Sequence, residues 1–596
     1  MNWRWRVFCP AVIVCVGLIV YQPALRMGFW TDDYAFLDSA VRLDFVDYWR
    51  SYLDPSVQWH WYRPMQGAMW WLAYNLFHAD ATGYHAVQLA LHLTNAALLF
   101  YLVTHISRRW RLGLIAALVY VALSPHALAV FWVGVADPLV SVFYLLALAL
   151  WFRYLESNRR RWYGLTIITF IGALLSKEIA ATLPIALFLA DRLVVRKPIA
   201  LLELIKRYFI FAIALLGYAA LEYTVLTRGV FTTSLGYGVG GHIFSAMFSH
   251  LATLAFPWGL PAPLNYFWLA AVLGLIALAA FKREWRILFL CAVVLLAMLP
   301  VLPFPPGLAL AARYLYLPFA GSAIGMAIFF ELARRLQKQF AWGAAIALGV
   351  AGLVMWNSAV IAESAVNFDG TIRQSRLQFR PIFQAFAGFD SDTLLYFFEP
   401  PLESAYMSGM FALRYGRNVS VSANDFVQPI SWRSHNSTMI FWQDESKNWH
   451  WQSVAKSSSA NTSPVLPVSF AGQISLDTLE VASANLRPGD SLIVRLHWRA
   501  LQRVEHDYTM FVHLIDASGK MLDAYDSPPR QGLAPTSGWR VNDPVADGVI
   551  ISIDDTIPPG EYRLAMGLYD PMTLERLMIS GSASDQIIIA PITVGR

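Results

Sequence analysis

Cysteine is nearly missing from this chain: its 596 residues hold three, Cys9, Cys15 and Cys291. All three lie in apolar stretches and no two stand at a metal-ligand spacing, which excludes a thiolate-built metal site. None falls beyond residue 361, so a soluble half exported from the cytosol would fold without disulfides. Charge is sparse as well. Asp, Glu, Lys and Arg make up 14% of the residues, and the formal net charge of +5 comes from scattered Lys and Arg. That excludes the clustered basic face on which a nucleic acid would sit. A small-x-small cleavage site is also absent before Gln22-Pro23, although Met-Asn-Trp-Arg-Trp-Arg followed by an apolar run over 7–21 has the layout of a signal sequence. The segment therefore reads as a retained first span.

What the chain has in abundance is apolar length. With 57% hydrophobic residues, 23 Trp and a mean hydropathy of +0.46, it reads as an α-helical polytopic membrane protein that also carries a soluble portion. Residues 1–361 are mostly apolar runs, whereas 362–596 has ordinary globular composition. A helical span needs roughly 20 apolar residues. Such runs lie near 7–27, 84–104, 112–132, 137–155, 162–176, 179–195, 206–226, 265–281, 286–303, 317–333 and 341–361. Eleven spans put the two ends of the chain on opposite sides of the membrane. With a cytoplasmic N-terminus, the inner segments hold twenty Lys and Arg, fifteen of them clustered at 108–111, 159–161, 192–197, 282–286 and 334–338, against seven in the outer segments. This bias places the first loop and everything after residue 361 outside a bacterial-type inner membrane. The stretch 242–258, interrupted by His250 and closed by Pro257, Pro261 and Pro263, reads as an interfacial helix on the outer face.

Beyond the last span, a small extracytoplasmic α/β unit is predicted over 362–460. It has a helical stretch with Phe379, Ile382 and Phe386 on one face, a strand at 393–398, a helix at 403–415 and then short strands. The polar run 457–464 reads as a linker. Over 465–596, segments of strand composition at 491–498, 508–514, 548–552 and 562–568 are separated by turn signals at 487–490 and 558–560, which predicts an antiparallel β-sandwich. Trp442, Trp449 and Trp451 could stack on sugar rings, but a small domain's core uses Trp in the same way, and core is the preferred reading.

The informative polar residues stand at the outer ends of spans. Asp32, Asp33 and Arg63 belong to the first loop, His126 and Asp137 to the second outer region, Lys177 and Glu178 to the third, and Arg313, Tyr314 and Tyr316 precede the tenth span. Ionisable groups at the bilayer edge are costly and tend to mark a site. This set suits transfer from a lipid phosphate. An Asp against an acceptor hydroxyl takes its proton as general base. Arg63, Lys177 and Arg313 can hold a phosphate leaving group and neutralise its growing charge. Each residue also has a plainer reading. Asp32 and Asp33 are first-turn acids of the next helix, Asp137 before Pro138 is a helix cap, and His126 beside Pro125 is a helix end. Lys177 and Glu178 satisfy each other, and Tyr314 and Tyr316 join an aromatic belt. His85 and His92 form a packed, hydrogen-bonded pair on one helical face.

In this order the motifs resemble the membrane glycosyltransferases of the GT-C fold. They resemble in particular the protein O-mannosyltransferases and the tetratricopeptide-bearing transmembrane O-mannosyltransferases, with the lipid A aminoarabinose transferases more distant. The matching stretches are Asp32-Asp33, Tyr62-Arg-Pro64, Gly83-Tyr-His85 with Leu91-His92, Pro125-His126 leading to Trp132 and Asp137, Ser176-Lys-Glu178, and Arg-Tyr-Leu-Tyr-Leu-Pro at 313–318. The resemblance covers about 1–361. It implies inverting transfer of a sugar from a polyprenyl-phosphate donor to a hydroxyl of a protein, lipid or glycan acceptor. A first-loop acid is then the base, Asp32 or Asp33, with the lean to Asp33. The chain departs from the family at Leu128, where Glu is frequent, and at Val135, where Arg is frequent; both changes bear on the acceptor and on any metal site there. Some GT-C enzymes hold Mg or Mn on carboxylates of the kind Asp32, Asp33 and Asp137 supply. The mannosyltransferase-like subset generally does not, so no metal and no cofactor are expected. The competing reading is a non-catalytic membrane subunit of the same fold that presents its outer domains to a partner. A transporter is disfavoured, because neither paired internal repeats nor a broken helix with a midplane charge is visible.

Overall fold

A computed structural model describes residues 3–58, 61–196, 199–227, 238–258, 262–304, 311–336, 340–424, 431–455 and 466–595. The linker reading at 457–464 lies outside these residues. The chain divides into two compact units, Met1–Gln374 and Ser375–Arg596.

The first unit is helical. In lipid every amide must bond within its own segment, and a helix does this for a single apolar run. Among the described residues, five helices are long and apolar enough to cross a bilayer: Val7–Arg26, Ala81–Ser107, Asp137–Ser157, Leu201–Leu226 and Ala344–Leu377. Trp110–Val121 with Ser124–Phe131 makes a bent pair, turned by 52°. Tyr266–Phe281, Trp285–Val301 and Phe319–Ala333 are shorter apolar helices. The bend has a local cause. Pro125 lacks an amide proton, which leaves carbonyls of the preceding turn without helical partners. One of them is the Val121 carbonyl, four residues before Pro125, and the Nε2 of His92 lies 3.1 Å from it. The run 179–195 is likewise not one helix. It passes from a 3-10 turn at Glu178–Thr182 through an α-helix at Leu183–Leu189 to a π-turn at Ala190–Val195. The stretch expected to be interfacial contains the helix His242–Ala255, and the Ser322 hydroxyl donates to its Leu254 carbonyl at 2.5 Å.

The first loop folds into two short helices, Asp32–Arg42 and Phe45–Leu53. Asp44 caps the second by accepting the Asp47 amide at 2.9 Å. The Tyr48 hydroxyl then donates to the Gly67 carbonyl at 2.8 Å, which ties the loop to the helix Pro64–Phe77. Glycine at 67 also leaves room for a second ring of the loop: a Cβ there would lie 2.4 Å from the Tyr52 ring.

The second unit holds strands β1 (Thr393–Phe397), β2 (Val419–Ala423), β3 (Ser437–Gln443), β4 (Trp449–Ala455), β5 (Val468–Phe470), β6 (Ile474–Val481), β7 (Asn485–Leu486), β8 (Ser491–Ala500), β9 (Thr509–Ile515), β10 (Met521–Ser527), β11 (Pro544–Ser552), β12 (Gly560–Tyr569) and β13 (Ile587–Val594). The first sheet runs β2-β1-β3-β4, with β1 parallel to β2 and β3, and β4 antiparallel to β3. The helix Ser404–Tyr415 makes the crossover between β1 and β2. The other two sheets, β10-β9-β12-β13-β7 and β11-β8-β6-β5, face each other as a sandwich. In β8 the residues Leu492, Val494, Leu496 and Trp498 enter the sandwich core. The alternate residue Ile493 packs instead with Leu394, Tyr396, Phe398, Trp432 and Ile440 of the α/β sheet. Both faces of β8 are therefore covered, which a free-standing sandwich would not show. Arg495 is buried in this seam, with its guanidinium 5.3 Å from the Tyr396 ring and 5.1 Å from the Trp432 ring. It pairs with Glu480 at 2.5 Å. Gly548 permits the approach, since a Cβ there would fall inside the Phe398 ring contact at 1.7 Å.

Candidate active site

Thr31 carries φ 39° and ψ −111°, a conformation that side chains rarely adopt, and the chain turns sharply there into the helix Asp32–Arg42. The two acids that follow meet different surroundings. Asp33 is fully buried. Its Oδ2 accepts the Trp30 amide at 2.9 Å and its Oδ1 accepts the Gly134 amide at 2.6 Å. Burial pushes the Asp33 carboxyl well above the usual carboxylate range, and these two amides pull against that shift. Asp32 is half-buried, and among the described residues it makes no hydrogen bond or ion pair.

The bond from Asp33 to Gly134 joins the first outer loop to the second. Gly134 has no room for a side chain: a Cβ would lie 2.9 Å from Asp33 Oδ1 and 3.1 Å from Trp132 Nε1. The same turn is held from below. Gln66 donates to the Gly134 carbonyl at 2.7 Å, and Gln88 donates to the carbonyls of Ala129 at 2.7 Å and Val135 at 3.0 Å.

Aromatic rings carry the site onward. Trp30 packs edge-on against Trp132 at 4.7 Å. The Arg313 guanidinium sits 4.5 Å from the Trp132 ring and 4.8 Å from the Tyr314 ring, and donates to the Tyr314 hydroxyl at 2.9 Å. Tyr314 stacks on Phe304 at 4.8 Å, and Phe304 meets Trp61 at 6.1 Å. Lys177 lies 4.9 Å from the Tyr314 ring. Segments far apart in the chain thus converge around one aromatic series.

Two ion pairs flank it. Lys177 bonds both Asp137 oxygens, at 2.8 and 2.7 Å, with both side chains buried. Asp137 is the first residue of its helix and makes no cap hydrogen bond, so its carboxylate serves Lys177. Arg63 pairs with Glu178 at 2.8 Å and lies 5.0 Å from the Trp61 ring. Lys177 and Glu178, which the plainer reading paired with each other, have separate ion-pair partners. Of Arg63, Lys177 and Arg313, only Arg313 lacks a carboxylate within ion-pair distance among the described residues.

Tyr316 is fully buried rather than part of a belt. Because His92 Nε2 faces the Val121 carbonyl at 3.1 Å and must donate there, its Nδ1 accepts the Tyr316 hydroxyl at 2.6 Å. The Asn95 amide approaches the same hydroxyl at 3.3 Å. His126 is buried with Nδ1 facing the Tyr120 carbonyl and Nε2 facing the Tyr316 carbonyl at 3.2 Å. His85 is buried against the Gly28 carbonyl at 3.3 Å, so His85 and His92 are both hydrogen-bonded but not to each other.

Glu222 is a site-edge residue that the sequence reading passed over. It is buried, accepts the Tyr62 amide at 3.1 Å, and adds to the negative field on Arg63. Its signal was a lone carboxylate inside the apolar run 206–226. The described residues bring no three of His, Cys, Asp and Glu together as a metal-ligand set.

No family model matches the chain. A curated relative, the protein O-mannosyl-transferase F38B6.6 of Caenorhabditis elegans, is 24% identical over 358 residues, covering 54% of this chain and 51% of that protein. The chain thus spans about half the length of that relative. Among solved structures, the crystal structure of ArnT from Cupriavidus metallidurans bound to undecaprenyl phosphate aligns over 75% of this chain and 94% of its own, at 13% identity and a TM-score of 0.46. The cryo-EM structure of arabinosyltransferase EmbB from Mycobacterium smegmatis aligns over 100% of this chain and 65% of its own, at 12% identity and a TM-score of 0.31. In sequence, this chain is similar to a protein O-mannosyl-transferase over about half of its length.

Proposed function

We propose that this chain is a multi-pass membrane glycosyltransferase of the GT-C kind. It moves a sugar from a polyprenyl-phosphate donor to an acceptor hydroxyl on the extracytoplasmic face, with inversion, and its N-terminus is cytoplasmic. The observation that carries the reading is the division between the two neighbouring acids. Asp33 has given both oxygens to backbone amides, whereas Asp32 keeps its carboxylate free at the junction of the first two outer loops. Asp32 is therefore the general base, and Asp33 positions it. Asp32 takes the proton from the acceptor hydroxyl, whose oxygen attacks the anomeric carbon opposite the phosphate. The bond from that carbon to the phosphate oxygen breaks, and the lipid phosphate leaves with its charge. Arg313, held on two aromatic faces and free of a carboxylate, meets that charge with a planar fork of donors. Arg63, Glu178, Lys177 and Asp137 form the rigid frame, and His126 and Tyr316 hold the loop that carries Arg313 and Tyr314.

The test is donor-dependent transfer by the purified chain with Asp32→Asn and Asp33→Asn measured separately. Asp32→Asn should lose about 10²–10⁴-fold in rate with folding intact, and an undiminished rate in that variant defeats the assignment. A non-catalytic subunit gains support from one observation: two of the three cations are already neutralised internally. That reading expects no transfer with any lipid-linked donor and stoichiometric companions on purification.

A further inference from the structure

The β3–β4 hairpin of the second unit carries an aromatic surface that its core does not use up. Trp449 is 8% exposed, and its indole N–H donates to the Gln378 carbonyl at 2.6 Å. Two residues along the same face of β4, Trp451 is 41% exposed, although Phe386 packs against it edge-on at 5.3 Å. Trp451 lies in a cleft of about 630 Å³ whose lining also includes Gln378, Gln443, Lys447, Asn448 and Pro401. That volume is in the range of small-molecule sites. The lining contains amides and one cation, with no carboxylate.

The hairpin tip is set before any ligand arrives. Asp444 accepts the Asn448 backbone amide at 2.8 Å, its side-chain amide at 3.2 Å and the His450 ring at 3.0 Å, while Lys447 turns the chain with φ 64°. The Gln443 side-chain amide donates to the Lys447 carbonyl at 3.4 Å. One N–H of each of the Gln443 and Asn448 side-chain amides is thereby occupied. Among the described residues their carbonyl oxygens remain available as acceptors, and the Lys447 ammonium remains available as a donor.

We infer that this cleft binds a neutral oligosaccharide, with a pyranose ring stacked on Trp451 and its hydroxyls bonded by Gln443, Lys447 and Asn448. A pyranose presents an apolar C–H face rimmed by hydroxyls, and an open indole beside amide oxygens and one ammonium matches both features. A phosphorylated ligand would call for more than one cation. The inference concerns binding alone and stands apart from the proposed transfer.

The test is isothermal titration of the full chain in lipid nanodiscs with mannotriose, maltotriose and chitotriose, without donor. At least one trisaccharide should bind. Trp451→Ala should weaken that binding about tenfold, and Trp451→Phe should weaken it less. Gln443→Ala combined with Asn448→Ala should weaken it at unchanged thermal stability. Binding of none of the three sugars, or undiminished binding by Trp451→Ala, overturns the inference. A lipid surface is the rival occupant. A bimane label at Lys447→Cys should resist quenching by doxyl-labelled lipids, and strong quenching overturns the carbohydrate assignment.

Discussion

Two aspartates adjacent in the chain differ in chemistry because one has lost its lone pairs to backbone amides. Asp33→Asn would set an amide nitrogen against the N–H of Trp30 or Gly134, leaving a buried donor unanswered at a cost of about 1–3 kcal/mol. Under the proposed function, reduced thermal stability together with reduced transfer is expected, whereas Asp32→Asn should reduce transfer alone. The Lys177–Asp137 pair is a second residue-scale case. Lys177→Ala leaves a buried carboxylate without its counter-charge, and breaking such a pair costs about 3–5 kcal/mol. Replacing both partners, as Lys177→Met with Asp137→Leu, should recover most of that loss, which a double-mutant cycle on thermal unfolding would measure. Arg313→Lys keeps the charge and loses the planar fork. Under the proposed function, the donor KM should rise about tenfold while the acceptor KM stays nearly constant. These residues were legible in the sequence as polar groups at span ends. Their division into paired and free groups was not, because it depends on partners such as Gly134, 101 residues from Asp33.

At the scale of elements, the second outer turn acts as a keystone. It bonds Asp33 through its amide, Gln66 and Gln88 through its carbonyls, and Trp30 and Arg313 through Trp132. Gly134→Ala drives a methyl group against the Asp33 carboxylate, 2.9 Å away. Under the proposed function, transfer should fall while circular dichroism stays unchanged; retained full activity would show that the turn has slack. The apolar runs announced helices well, because hydrophobic length is a property of one segment. They announced breaks poorly. The run 179–195 is apolar apart from Thr182, Asp191 and Arg192, yet Glu178–Thr182 winds as a 3-10 turn and Glu178 pairs with Arg63. The winding changes where Pro184 enters the first turn of the helix Leu183–Leu189, a local signal that hydrophobic length alone passes over.

At the scale of the molecule, the seam between the α/β sheet and the sandwich stores a titratable group. Asp547 is buried, accepts the amides of Arg530 at 3.1 Å and Gly548 at 2.7 Å on one oxygen, and lies in a region where Glu399 grips Arg530 through two bonds. Burial lifts its carboxyl from 3.8 to about 7. A raised acid favours folding in its protonated form. Its contribution is complete below pH 3.8 and is lost as the pH rises through about 7. The second unit should therefore unfold at a lower temperature at pH 8 than at pH 5 on this account. Asp547→Asn, which keeps the accepting oxygen, should flatten that dependence in thermal unfolding of the full chain. A slope unchanged by the substitution would remove Asp547 as its source. The strands at 491–498 and 562–568 were readable from their composition and the turn signals between them, but the burial of both faces of β8 was not, since the covering sheet begins about 100 residues earlier in the chain.

By itself the sequence determined what short segments decide. Its apolar runs commit residues before 361 to helices, its segments of strand composition commit much of the later part to strands, and desolvation cost marks Asp32, Asp33, Arg63, Asp137, Lys177, Glu178 and Arg313 as residues with a purpose. Only the tertiary structure decided which acid is tied and which is free, that Lys177 meets Asp137, and that Tyr316 is an interior hydroxyl rather than a surface ring. The reason is physical: hydrophobicity and periodicity act along the chain, whereas the state of a buried polar group is set by whichever distant donor or charge the fold brings within about 3 Å of it.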